Sequence, residues 1–469
     1  MTTRCPKLVW RTPQCCTVRR WPTRRSEHAT RLRGRTGPTI GYMAAGGGVR
    51  TRVHQVGSRR SGGTRLAVAA AVAVGTAVIV YLALVGRRYG LDLQVYRASA
   101  SAVLNGHDPY DRVFTASRLP ATYPPFAFVL SSWFAWGPFA FARCLMWALS
   151  IAAATASVFM VLRAQGHPGR LRLWIWSFAW ACGSVLAIEP ARSSIDYGQI
   201  EFLLMFLVVA DLLLVRPPAR GIALGVAGAI KLTPLAFILV LVTRRDWRSA
   251  FRAGASFVAC GALAWIVWPG LSRTYWFHDL LHVKRIGTIA YAGNQSWYAV
   301  VHRAPFHGHG STAAWLALSV VTIALGTFVA WRCDQTGRRS FALVPIALLA
   351  LLVSPVSWSH HWIWVILLPP LLVGRGRTQV AAGVRASTWV LVALTIGAPY
   401  WWLHAGAGAN ALEALLPAWA FVVLTVWSAA EYRRWRTPAP APPAGDAPAA
   451  TDRITVGSGG AWQAGAPHR

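Results

Sequence analysis

The chain reads as an all-α polytopic membrane protein, and three observations predict it. Hydrophobic residues make up 55% of the 469, and mean hydropathy is +0.41, too apolar for a soluble chain of this length. Apolar runs of about 18 residues or more recur, which is the length that crosses a hydrocarbon core. The short alternating segments of a membrane barrel are absent. Backbone polar groups in lipid must then close on themselves as helices.

Residues 1–65 are Arg-rich, with Gly, Pro and Thr and no apolar periodicity, which predicts a disordered cytoplasmic tail. Translation from Met43 or later would shorten it. Leu66 to Val85 is the first spanning helix, too long for a signal-peptide core and followed by no cleavage site, hence an uncleaved anchor. Basic residues before it place the N-terminus inside and Leu91–Tyr123 outside. In that first external loop, Val95 to Leu104 suits a short interfacial helix. Asn105-Gly106 and Asp108-Pro109 mark turns.

Segments Phe126–Trp136, Phe141–Leu162, Leu173–Ile188, Phe202–Leu214, Ile222–Val242 and Phe251–Trp268 follow. A second polar loop covers Pro269–Ser311. Then come Ala313–Trp331, Phe341–Val353, Trp358–Leu372, Thr388–Leu403 and Leu415–Trp427. Residues 431–469 read as a disordered Pro/Ala-rich cytoplasmic tail, which leaves 66–430 as the membrane domain. The segments give about 12 spans, or about 10 if Phe126–Trp136 and the helix interrupted at Thr233-Pro234 are both re-entrant. The smaller count puts Arg163–Arg172 and Arg216–Arg220 inside. Arg244–Arg252, Arg332–Arg339, Arg375–Arg385 and Arg433–Arg436 fall inside under either count.

A net charge of +32 fits that positive-inside bias and attraction to anionic lipid. No basic soluble domain or motif points to nucleic acid. The seven cysteines show neither metal spacing nor a disulfide framework.

Acids number only 15, so the cluster Asp92, Asp108 and Asp111 just beyond the first span needs a reason. Asp92 is read as a catalytic base at the outer membrane surface; the plainer alternative is a solvated loop acid. Asp108 and Asp111 flank a Pro-Tyr turn, where Asp commonly bonds nearby backbone. Lys231, mid-segment in AIKLTP, must face a cavity or partner rather than lipid. In SPVSWSHHWIW, His360 and His361 sit with several hydroxyls at a membrane boundary and imply a polar site. Adjacent helical residues point about 100° apart, so the pair suits donation to phosphate better than chelation of one metal. The second loop offers Tyr275, Trp276, His278, His282, Lys284, Arg285, Asn294, Gln295 and Arg303, cations and aromatics that suit a phosphate and a sugar ring. Asn294-Gln295-Ser296 also matches a weak glycosylation sequon. Glu189, Asp196, Gln199 and Glu201 surround another boundary, where helix capping and site roles read alike.

With these residues in view, the chain resembles bacterial glycosyltransferase family 87, polyprenol-phosphate-mannose-dependent mannosyltransferases of the GT-C superfamily best known from actinobacteria. DLQVYRASASAVLNGHDPYD, TYPPFAFVL, GQIEFLL, AIKLTP, GNQSWYAVVHR and SPVSWSHHWIW occur in family order across roughly residues 66–430. Glu201 departs from the pattern, which has Asn there. The resemblance implies a GT-C-like bundle and a catalytic aspartate at Asp92. It implies that Tyr96 and Lys231 line the site and that His360 or His361 is the essential histidine. It also implies inversion, from a β-linked mannosyl phosphate to an α-mannoside.

The expected reaction is a single displacement. A carboxylate takes the acceptor hydroxyl's proton, and cations or strong donors receive the leaving lipid phosphate. Asp92, His360 and His361 are the catalytic candidates; Tyr96, Tyr123, Lys231, Arg285, Asn294, Gln295 and Arg303 are the binding candidates. No metal or cofactor is expected. The expected partners are a polyprenyl-phosphate sugar donor, a glycolipid or polysaccharide acceptor, and membrane lipid. The expected location is the inner membrane, with both termini cytoplasmic and the site outside. A lipid or sugar transporter is the rival reading, but no repeat between halves supports it.

Overall fold

The computed structural model describes residues 52–84, 90–303, 309–373, 380–403 and 406–437. Most of both expected tails, with Cys5, Cys15, Cys16 and Met43, lies outside these residues. Ser58–Arg469 forms one compact unit, apart from Met1–Gly57, and the bundle is built in the former.

α1 (Arg52–Leu84) is followed by α2 (Leu91–Leu104), which starts earlier than the expected interfacial helix. A two-residue antiparallel pair, β1 (Val113–Phe114) with β2 (Leu119–Pro120), closes the next turn. Then come α3 (Phe126–Ala135), α4 (Phe139–Ala164), α5 (Arg170–Ala187), α6 (Glu189–Tyr197) and α7 (Glu201–Leu213). α5 and α6 meet at 86°. α8 (Ile222–Ile230) passes through a 3-10 turn, Thr233–Phe237, into α9 (Ile238–Thr243), and α10 (Trp247–Val267) follows. The second polar loop carries α11 (Pro269–Phe277) and α12 (Trp297–Arg303). α13 (His309–Gln335) and α14 (Leu343–Val353) lead to a 3-10 helix, Ser359–Leu367, that runs into α15 (Leu368–Leu372). α16 (Ala382–Gly397) and α17 (Ala407–Arg436) complete the bundle.

Among the described residues, α1, α4, α10, α13, α16 and α17 are each long and apolar enough to cross a membrane, and the bent α5–α6 pair would add another. The chain is therefore a multi-pass membrane protein.

Polar ties show which helix ends lie together. Arg220 Nη1 meets Asp246 Oδ2 at 3.2 Å, and Arg244 Nη1 donates to Leu212 O at 3.1 Å. The stretch from α8 to α9 thus leaves one end of the bundle and returns to it. It is a hairpin with Lys231 at its apex, where Thr233-Pro234 prevents a continuous helix. Arg244 also pairs with Asp334 at 3.1 Å, and Arg338 with Glu431 at 2.6 Å. The basic ends of α9, α13 and α17 are therefore gathered together. α3 is too short to span alone: it begins beside Tyr123, and at its far end Gly137 O accepts from Arg97 of α2 at 2.9 Å. Among the described residues six or seven helices have the length of a span, fewer than the ten or twelve segments read from the sequence, because several of those segments are short or broken.

Lipid gives helices little hydrophobic reason to associate, so close packing of small residues matters. At Gly225 of α8 an added Cβ would sit 2.3 Å from Ala253 O of α10, which holds the hairpin tightly against that span. The apolar core runs through α4, α5, α7, α8, α13, α14 and Ser359–Leu367.

Candidate functional site

At the end of the bundle away from the arginine ties lies a cavity of about 740 Å³. It is lined by α2, the Tyr123 loop, the α6–α7 junction, the Lys231 apex, residues 286–293 and residues 354–361.

α2 supplies Asp92 and Tyr96 one turn apart, so both reach the cavity while Leu93 is buried beneath. Leu93 packs on Gly198, which ends α6 with φ +69; a Cβ there would lie 2.8 Å from Leu93 Cβ. That close approach brings the next residue, Gln199, to Asp92. Gln199 Nε2 donates to Asp92 Oδ2 at 2.7 Å and lies 3.1 Å from His360 Nε2. A carboxylate only accepts, so the amide nitrogen must face it. Gln199 Oε1 accepts from Tyr96 OH at 2.7 Å and Tyr123 OH at 3.2 Å, and the two hydroxyls are 2.8 Å apart.

Lys231 closes the other end of this chain of bonds. Its ammonium donates to Tyr123 OH at 3.4 Å, contacts Glu201 Oε1, and lies 3.0 Å from His361 Nε2. An ammonium cannot accept, so His361 Nε2 is the acceptor and its proton sits on Nδ1. That Nδ1 is buried without a partner.

Burial is the main force on the titrating groups of the external loop. It raises the Asp92 carboxyl to about 6, against the opposing pull of the Gln199 bond and Lys231 and with a further push from Glu201. Burial likewise raises the Tyr123 phenol to about 12 and the Tyr96 phenol well above its ordinary value. Both tyrosines stay neutral and remain donors, while Asp92 ionises near neutral pH.

A second carboxylate braces the site from behind. Glu189 is buried and accepts from Ser193 (2.9 Å), Ser359 (3.0 Å), Tyr400 (2.5 Å) and Trp401 Nε1 (3.2 Å). It ties α6 to the residue preceding His360.

Of the residues expected from sequence, Asp92, Tyr96, Tyr123, Lys231, His360 and His361 come together on this cavity. Arg285, Asn294, Gln295 and Arg303 are placed elsewhere and are engaged in holding loops. Arg285 pairs with Asp279 at 2.6 Å. Asn294 Nδ2 donates to Pro355 O and Ile289 O, both at 3.1 Å, and Gln295 Nε2 to Ala292 O at 2.6 Å. Arg303 pairs with Glu413 at 2.9 Å and donates to three loop carbonyls. Asp108 Oδ1 accepts from Tyr110 N at 2.7 Å in the expected local turn. Gln199 and Glu201, left open by sequence, join the site. So do Tyr197, Tyr291, Trp358 and Trp401, which no sequence feature grouped. Among the described residues no three His, Cys, Asp or Glu side chains form a metal-ligand set.

One carboxylate ready to accept a proton and one ammonium ready to meet an anion, in one cavity, suit the deprotonation of a hydroxyl with departure of a phosphate.

Comparison with known proteins accords with this chemistry. The profile of glycosyltransferase family 87 matches residues 121–355. The chain is 35% identical over 332 residues to a polyprenol-phosphate-mannose-dependent alpha-(1-2)-phosphatidylinositol mannoside mannosyltransferase of Mycobacterium tuberculosis, covering 65% of this chain and 77% of that one. It is 34% identical to the protein of the same name from Mycolicibacterium smegmatis, covering 72% and 83%. A phosphatidylinositol pentamannoside mannosyltransferase of Mycobacterium tuberculosis is 32% identical, covering 74% and 80%. No solved structure matches the chain.

Proposed function

Because the chain belongs to glycosyltransferase family 87, we propose that it moves mannose from polyprenol-phosphate-mannose to a hydroxyl of a phosphatidylinositol mannoside or related envelope glycolipid. Asp92 is the general base. As the acceptor oxygen bonds to the anomeric carbon, the proton passes to the Asp92 carboxylate and the carbon–phosphate-oxygen bond breaks with its electron pair on the polyprenyl phosphate. Lys231 and Tyr123 receive the developing charge, and His361 stands beside them. Displacement on the face opposite the phosphate turns a β-linked donor into an α-mannoside. The reaction needs one base and a cation, and no metal.

The observation that carries this reading is the bridge of Gln199 between Asp92 and His360, in the cavity that also receives Lys231. The names of the relatives support mannose and the lipid donor. The arginines gathered at the other end support placing the site on the outer face with both termini cytoplasmic, by the positive-inside rule.

The test is transfer by the purified chain in proteoliposomes, with labelled polyprenol-phosphate-mannose and a phosphatidylinositol mannoside. The expected product carries a new α-linked mannose. Donor crossing the bilayer with its glycosyl bond intact would instead favour a lipid transporter.

A further inference from the structure

We infer that the aromatic end of the cavity, formed by Tyr197, Tyr291, Trp358 and Trp401, is a sugar-ring subsite for the acceptor glycan. The inference rests on the transferase reading and specifies where the attacking partner sits.

All four rings line the cavity that holds Asp92 and His360. The Tyr291 ring centroid lies 6.0 Å from that of Trp358 and 5.7 Å from that of Trp401. Tyr197 packs edge-on to His360 at 5.4 Å, and Trp358 lies two residues before His360 on the same cavity wall. His360 therefore contacts both this group and the Gln199 amide that holds Asp92.

The surrounding scaffold fixes the segments that carry these rings. An antiparallel bridge joins Asn294 to Trp358. Ser357 N donates to Asn294 Oδ1 at 2.9 Å, and Gln295 N to Ser357 O at 2.8 Å. Trp401 is anchored by its Nε1 on Glu189 at 3.2 Å. Gly293 leaves just enough room, since a Cβ there would lie 2.9 Å from Tyr291 Cε1 and 3.0 Å from Trp401 Cη2. Yet Tyr291 remains 51% exposed. A large ring held in register but left half open at a largely apolar cavity with a few polar groups offers a face to a ligand with flat C–H surfaces and a polar rim. A pyranose has that form, and aromatic walls with a few polar groups are the usual lining of small-ligand pockets.

The rest of the cavity is matched to the donor. Its ammonium end has Tyr123, Glu201 and His361 as neighbours of Lys231 and suits phosphate. The wall formed by Leu130, Phe134 and Met146 is apolar and suits a prenyl chain. The aromatic group belongs to neither and adjoins the base through His360, where an acceptor hydroxyl must be presented.

The experiment uses the full chain in lipid nanodiscs, with a short-chain alkyl α-mannobioside as the probe. Calorimetry without donor reads its binding, and transfer kinetics with polyprenol-phosphate-mannose read KM for each substrate. Tyr291→Leu should weaken probe binding and raise probe KM about five- to tenfold, the worth of one stacked ring, with donor KM within about twofold of wild type. Tyr291→Phe, which keeps the ring, should restore both. Unchanged probe binding in Tyr291→Leu overturns the subsite, and so does a rise confined to donor KM. If Tyr291→Leu does not fold, Trp358→Leu is read by the same criteria. If the wild-type chain binds the probe but transfers no mannose, the transferase reading fails while the subsite stands.

Discussion

Gln199 Nε2 lies 2.7 Å from Asp92 Oδ2 and 3.1 Å from His360 Nε2, so one amide orients the candidate base and a histidine from a distant segment. Its carbonyl is held by two tyrosyl hydroxyls, which leaves the amide no freedom to flip. In the proposed mechanism Gln199 is thus a positioning residue. Gln199→Glu puts a second carboxylate against Asp92, and like charges resist joint ionisation. The acidic limb of the pH–rate profile should move upward by about one unit or more, with donor KM little changed. An unmoved limb would remove Gln199 from the account.

The burial of Asp92 sets a pH dependence with a definite sign. Its carboxyl is raised from 3.8 to about 6, and a carboxylate in the proposed role of base works only when ionised. kcat/KM should therefore be level above about pH 6 and fall about tenfold per unit below it. A limb near 4 would contradict the buried environment. Stability runs the other way. The folded state holds this proton more tightly than the unfolded chain, so stability is fullest below 3.8 and declines as pH rises through about 6. The loss is at most about 3 kcal/mol. Melting temperatures of wild type and Asp92→Asn should diverge across that window, with the variant the more stable at neutral pH.

Lys231 and Glu201 form an ion pair where the proposed mechanism places the donor phosphate. Lys231→Met should lower kcat/KM by about 10²–10³-fold, the usual cost of removing a donor aimed at developing negative charge. Glu201→Gln frees the ammonium from its counter-charge and should tighten binding of the phosphate-bearing donor, with donor KM falling about three- to tenfold. A rise in donor KM for Glu201→Gln would show that the pair acts as a unit in binding.

Glu189 joins α6, Ser359 and the Tyr400–Trp401 turn through four accepted hydrogen bonds. Glu189→Leu leaves the buried hydroxyls of Ser359 and Tyr400 without this partner and should destabilise the chain by about 2–4 kcal/mol. Glu189→Gln keeps part of the network and should cost less. Thermal unfolding in detergent checks the order of the two.

The bundle was legible because lipid imposes one requirement, apolar length, and α1, α4, α10, α13, α16 and α17 meet it plainly. α6, α11 and α12 were not, because they are short and mixed and their helicity depends on packing against neighbouring elements. Scarcity made Asp92 visible, and polar residues at a membrane boundary made Lys231 and the His360–His361 pair visible. Gln199 and Glu201 were in view but ambiguous, because a polar residue at a helix junction looks the same whether it caps or serves a site. Arg285 and Arg303 illustrate the opposite difficulty. A loop arginine reads as a ligand group until its acid is found, and Glu413 lies far along the chain from Arg303. The rings of Tyr291, Trp358 and Trp401 come from three separate segments and share no pattern along the sequence.

The central claim is that Asp92 removes the acceptor's proton. It is tested most directly by Asp92→Asn in the purified chain, with donor binding and mannosyl transfer measured side by side. The account predicts that donor affinity stays within about twofold while transfer falls by at least about 10²-fold. Transfer at the wild-type rate with normal donor binding would contradict it.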